Sequence, residues 1–211
     1  IQLADTYIPD AYKKAVLKNV FHCESRFVLV PKTELEGLDR YSIFSASHSG
    51  YADKVKSDDL ETIGAKEYYE YPFRVYNDLF FTFENANFYS AHRPAFEVLK
   101  RKSQGRNIFF ASIKSKMLEI VVFRNGALLF CNSFEVIQAD EMYYYLRATL
   151  ADLGIAEDSE DIFITCVRKE EKDRVFQTLR TNIPNFNKNA EDMFGFPLEF
   201  WESYGDLILC N

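Results

Sequence analysis

The sequence predicts an α/β protein of two tandem halves, each a mixed sheet flanked by helices. Three observations carry this expectation. Asn125-Gly126 sits between two β-rich runs, the strongest short-range signal for a hairpin. A run with helical periodicity from Ala139 to Leu153 stops at Gly154 and is followed by the apolar run Asp161–Val167. A helix, an apolar strand and a helix also recur in the first half, at 9–38, as they do at 139–180.

Each element of the second half has a local reason. Asn107–Ile113, Met117–Phe123 and Ala127–Cys131 are rich in Ile, Val, Phe and Leu and read as three antiparallel strands in a meander. Lys114-Ser115-Lys116 joins the first two, and Arg124-Asn125-Gly126 joins the last two. In the helix that follows, Met142, Leu146, Thr149, Leu150 and Leu153 share one face. The run at 161–167 has no alternation, the mark of a strand buried on both faces and paired in parallel. A charged helix is expected at 169–180. The order β-β-β-α-β-α is the core order of the ribonuclease H-like fold.

The first half is less regular. Pro9 suits a first helical turn, so 9–21 reads as a helix with Tyr12, Val16 and Val20 aligned. Arg26–Val30 reads as a strand ended by Pro31, and Lys32–Leu38 as a short helix. Lys66–Phe73 reads as a strand, and 75–84 and 94–102 as helices. The polar stretch Lys102–Arg106 divides the halves, giving expected subdomains at 1–105 and 106–211. The first has no opening meander before Pro9, as though its first strands were missing. Pro197–Cys210 reads as a closing helix with Trp201 on its buried face, in competition with a short strand at Leu207–Cys210.

Composition narrows the function classes. Hydrophobic residues make up 47% and charged residues 27%, an ordinary globular mix that excludes disorder and coiled coil. The net charge of −7 argues against broad contact with nucleic-acid backbones. No window approaches the ~18 apolar residues of a membrane span. Cys23, Cys131, Cys166 and Cys210 form no CxxC pair, and buried thiols in a reducing cytosol are the expected reading. His22, His48 and His92 are far apart, so no metal site is expected. No G-x-S-x-G or Cys/His arrangement supports nucleophilic catalysis.

The runs Phe27-Val-Leu-Val-Pro31, Val121–Phe130 with Phe134, and Leu207–Cys210 resemble those of an uncharacterised bacterial family with an actin-like ATPase fold. The resemblance implies a fold and no activity. Active members of that wider fold hold ATP with a D-x-G type turn between the first two strands of each half. The carboxylate positions hydrated Mg²⁺, and the glycine lets backbone N–H groups reach phosphate. Here the stretch is Ala111-Ser-Ile-Lys-Ser-Lys116, with neither Asp nor Gly. Thr165–Glu170 likewise lacks the glycine pair that adenosine approaches. A two-metal nuclease needs an acid at the centre of the first strand, and 108–113 has none; Glu119 on the second strand is expected to face solvent.

The expectation is therefore a cytoplasmic, non-catalytic scaffold or interaction module without cofactor, engaging a protein partner or a second copy through its aromatic-rich surface. Tyr68-Tyr69 and Tyr143–Tyr145 are candidates for that surface. The competing expectation is an ATP-binding protein, with Mg-ATP held by atypical ligands at Ser112, Lys114 and Lys116. ATPase chemistry is the one enzyme class the fold suggests.

Overall fold

A computed structural model of the protein describes residues 19–22, 26–35, 37, 39–48, 54–71, 76–77, 80–81, 87–114, 117–156 and 162–166. Its strands are β1 (Asn19–His22), β2 (Phe27–Pro31), β3 (Val55–Leu60), β4 (Ala65–Glu70), β5 (Asn87–Ser90), β6 (Asn107–Lys114), β7 (Met117–Arg124), β8 (Ala127–Glu135) and β9 (Ile162–Cys166). Its helices are α1 (Arg40–Ser47), α2 (His92–Lys102) and α3 (Ala139–Asp152). The chain divides into two compact units, 1–93 and 94–211. That division lies ahead of the polar stretch at 102–106. Phe96 and Leu99 of α2 are fully buried, and the Phe96 ring meets Phe123 of β7 edge-on at 5.9 Å, which ties the helix to the second unit's sheet.

The second unit follows the sequence closely. Its sheet has the order β8-β7-β6-β9, antiparallel throughout the meander and parallel between β6 and β9. Register pairs such as Ala111↔Ile120 and Ala111↔Ile164 place Phe109, Ala111, Ile113, Leu118, Ile120, Val122, Ile162 and Ile164 in one apolar cluster. Met142, Leu146 and Leu150 of α3 complete it. Both ends of α3 are closed locally. The Glu141 carboxylate accepts from the Ile137 (2.6 Å) and Gln138 (3.1 Å) amides. At the other end the Ile155 amide donates to the Leu150 carbonyl and the Gly154 amide to Ala151, with Gly154 at φ 63°, a Schellman ending.

The Asn125-Gly126 turn has both residues at positive φ, 50° and 78°. The Asn125 amide donates to the Arg106 carbonyl and the Gly126 amide to Ser103 Oγ, so the end of α2 braces the hairpin. A Cβ on residue 126 would run into the Gln104 side chain.

The first unit departs from the expected pattern. Asn19–Phe21, read as the end of a helix, are in β1, which pairs in parallel with β5. Val20 and Phe21 are β-formers, and this pairing outweighs their helical spacing. β5 itself and β3 had no counterpart in the expectations. β2 is not a parallel strand buried on both faces. It lies at the edge of an antiparallel sheet of order β2-β4-β3. After it, Lys32–Glu34 make a single 3-10 turn, and the helix comes later as α1, capped by the Asp39 carboxylate on the Tyr41 and Ser42 amides. The recurrence expected at 9–38 is thus absent among the described residues. The strand at 66–73 is found as β4, the helix at 94–102 as α2, and Tyr76, Asn77, Phe80 and Phe81 within 75–84 are helical.

One face of this sheet carries Val28, Val30, Val55 and Tyr68, packed with Ile43, Phe44 and Leu35. The chain leaves β1, builds this sheet and α1, and returns to pair with β1 through β5. The helices expected at 9–18 and 169–180 and the closing segment with Trp201 lie outside the described residues, as do Cys23 and Cys210.

Candidate functional site

Of the residues singled out from the sequence as anion ligands, Ser112 and the backbone of Lys114 are among the described residues. Ser112 is inside β6, only 4% exposed, in register with Glu119 of β7 and Thr165 of β9. Lys114 is the last residue of β6 and pairs with Met117. Lys116 lies outside the described residues. Glu119, expected to face solvent, is half-buried beside Ser112 in register. Cys131 is half-buried, not buried, because it lies on the edge strand β8. Tyr68 and Tyr69 are buried and belong to the core of the first unit. Tyr144 is 66% exposed, whereas Tyr143 and Tyr145 pack against the second unit's apolar cluster.

The chemistry-bearing cluster that the structure does assemble is in the first unit. Alternation and register put Lys56, Asp58, Glu67 and Tyr69 on the sheet face opposite α1. Ser90 and His92, at the end of β5 and the start of α2, meet that face. His92 Nδ1 lies 2.6 Å from Glu67 Oε1, with both side chains buried. Ser90 Oγ is 3.4 Å from the same nitrogen and accepts from the His92 amide at 3.1 Å. The Ser90 amide donates to Asp58 Oδ2, which also accepts from the Tyr69 hydroxyl at 3.3 Å. The Phe27 ring lies 4.4 Å from the imidazole. Burial is the main cause that holds the Asp58 carboxyl above its usual range, and Glu67 across the strand pair adds to it.

This constellation contains Ser, His and Glu but is not a nucleophilic triad. Such a triad needs acid and nucleophile on opposite ring nitrogens, so that one orients the imidazole while the other loses a proton. Here both oxygens approach Nδ1, and Ser90 is 3% exposed. The cluster fastens the sheet to the β5–α2 junction. Among the described residues Glu67 Oε2 is buried without a hydrogen-bond partner. The sequence gives little warning of it: the partners are 25 and 32 residues apart, and Asp58 and Glu67 look like ordinary solvated strand charges.

Next to the cluster, Lys56 Nζ stands 4.0 Å from the Tyr76 ring centre and 5.2 Å from those of Tyr71 and Phe88. Burial, and then Tyr76, push the Tyr71 phenol up from its ordinary value. Among the described residues no group of three or more His, Cys, Asp or Glu could hold a metal ion, and no helix is long and apolar enough to cross a membrane.

With this geometry in place, comparison with known proteins gives the family. Residues 5–186 match the model described as "Protein of unknown function (DUF3822)". The chain belongs to this family. A search of the curated proteins finds no match. Among solved structures, a Bacteroides thetaiotaomicron VPI-5482 protein described as having an actin-like ATPase fold and unknown function is similar, with a TM-score of 0.68 and 22% identity. The likeness covers 83% of this chain and 70% of that one. At that identity it shows the fold. The DUF3822 chain described here is therefore a mixed α/β protein of actin-like architecture.

Proposed function

We propose that the protein is a non-catalytic scaffold or interaction module, built on two tandem ribonuclease H-like halves. The β8-β7-β6-β9 order with its single parallel pair supports the second half. The parallel β1–β5 pair leading into α2 supports the first.

The observation that carries the functional reading is the β6–β7 hairpin. The strands stay paired to Lys114 and Met117, which leaves only residues 115 and 116 between them. Neither is an acid that could position hydrated Mg²⁺ nor a glycine that would admit phosphate to the backbone. Ser112, the hydroxyl of that stretch, is closed inside the sheet.

A row of aromatic rings in the second unit supports the interaction role. Phe130 and Phe134 stack at 6.4 Å, Phe134 and Tyr145 at 4.3 Å, and Tyr145 meets Tyr144 edge-on. Tyr144, 66% exposed, carries the row to solvent, and Ile137 just before α3 is 75% exposed. Surface-exposed tyrosine next to apolar side chains is a composition favoured at protein interfaces.

Thermal melting with and without millimolar Mg-ATP tests the reading. A ligand far above its dissociation constant stabilises the folded state by a few kcal/mol, so a binder would melt several degrees higher. No shift is expected; a shift specific to Mg-ATP over Mg²⁺ and inorganic phosphate would replace this reading with nucleotide binding.

A further inference from the structure

Three half-buried rings, Tyr71, Tyr76 and Phe88, converge on the ammonium of Lys56 in the first unit. The rings also touch each other. Tyr76 meets Tyr71 at 5.1 Å and Phe88 at 4.5 Å, so they form one box and not three separate contacts. The π-faces of such rings attract a cation within about 6 Å of their centroids. A primary ammonium is compact and strongly hydrated, so it gives up much of its solvation to sit there. A methylated ammonium is less hydrated and presents CH groups to the rings, which makes it the better-matched occupant. Asp58, two residues along β3 on the same face, adds negative charge beside the box, and Lys56 is among the charges that act on its carboxyl.

The box opens onto an apolar rim. Phe80 stacks on Tyr76 at 6.0 Å and meets Phe81 edge-on at 5.9 Å. Phe80 is 46% and Phe81 80% exposed. We infer that Tyr71, Tyr76 and Phe88 form a receptor for an N-methylated lysine on a partner protein, and that Lys56 occupies and closes it in the free protein. The present occupant is itself a lysine ammonium, so the rings already hold a cation of the class proposed. The exposed rim offers contact to the residues that flank such a side chain. The net charge of −7 favours a basic partner segment. This inference rests on the interaction-module reading and gives that reading its ligand chemistry.

The test uses the full chain and three probes. Tetramethylammonium chloride is titrated into wild type and Lys56→Met at constant ionic strength, with sodium chloride as control. Binding is read from the line width of the probe's methyl protons. Lys56→Met should bind it at least ten-fold more tightly than wild type, because the internal competitor is gone. Lys56→Met/Tyr76→Leu should lose the binding while keeping the melting temperature of Lys56→Met; Lys56→Met/Phe88→Leu serves if the Tyr76 variant does not fold. A short Gly-Ser peptide with one N-trimethyl-lysine should then compete better than its unmethylated form and better than choline. Equal broadening by Lys56→Met and its box variants, or none above the salt control, overturns the site. Choline outcompeting the peptide overturns the protein partner. A Mg-ATP shift in melting would undo the interaction-module reading while leaving the tetramethylammonium result standing, so the two failures are distinguishable.

Discussion

The three-stranded sheet of the first unit and the four-stranded sheet of the second are held by different physics. In the second unit β6, β7 and β9 bury apolar side chains on both faces, and the polar Ser112 there is closed in by its neighbours. In the first unit the β2-β4-β3 sheet buries Val28, Val30, Val55 and Tyr68 on one face. The other carries Lys56, Asp58, Glu67 and Tyr69 beside the buried Phe27, Leu60 and Ala65. The first arrangement needs only the right apolar pattern. The second needs particular partners from distant parts of the chain, because a buried polar group is tolerable only when it is hydrogen-bonded.

The largest expected effect probes what the two sheets share. Phe96→Ala in the second unit and Phe44→Ala in the first, both almost fully buried, should each cost about 3–5 kcal/mol in urea unfolding. A much smaller loss at either would show that its sheet is not packed as described.

The next separates them. His92→Ala strands the buried Glu67 carboxylate and should cost about 3 kcal/mol. The double replacement Glu67→Leu/His92→Leu should regain much of that loss, since an apolar pair of similar volume carries no desolvation penalty. If the double variant is as unstable as His92→Ala, the pair does more than satisfy burial.

In the second unit the corresponding weak point is backbone geometry. Gly126→Ala should cost about 1–2 kcal/mol, because residue 126 sits at φ 78° and its Cβ would press on Gln104.

Why one sheet was legible follows from these same residues. Asn125-Gly126, Gly154 and the run 162–166 act through neighbours a few positions away, so their signals survive in the sequence. α1, β3 and β5 were missed because their short runs mix charges with apolar residues. In Val55–Leu60 the alternation is broken by Asp58, which is partnered by Ser90 and Tyr69. Val20 fits the helical spacing expected at 9–21, while its strand partner in β5 lies 68 residues on. The aromatic box was illegible for the same reason: Lys56, Tyr71, Tyr76 and Phe88 share no local spacing.

The smallest effects are in pH, and the two units should respond with opposite sign. Glu141 in the second unit is held below its ordinary value, first by the Ile137 amide and then by the Gln138 amide. Its stabilising contribution is present above the unfolded value and is lost as pH falls through the folded value. Asp58 in the first unit is held above its ordinary value by burial. Its ionised form therefore opposes folding at neutral pH, and that cost is relieved as pH falls through the raised folded value. Melting from neutral to acid pH should show Glu141→Gln losing part of the destabilisation that acid causes, and Asp58→Asn losing part of the stabilisation that acid brings. Responses of the same sign would contradict the environments described for these carboxyls.

On the proposed reading, the actin-like fold is present here without phosphate binding. A phosphorus NMR titration of Mg-ATP with the full chain, beside a Lys114→Ala variant, tests it most directly. The account predicts α-, β- and γ-phosphate lines that neither shift nor broaden at millimolar nucleotide, identically for both proteins. Broadening of the β- and γ-lines by wild type, abolished in Lys114→Ala, would contradict it and place the phosphates at the end of β6.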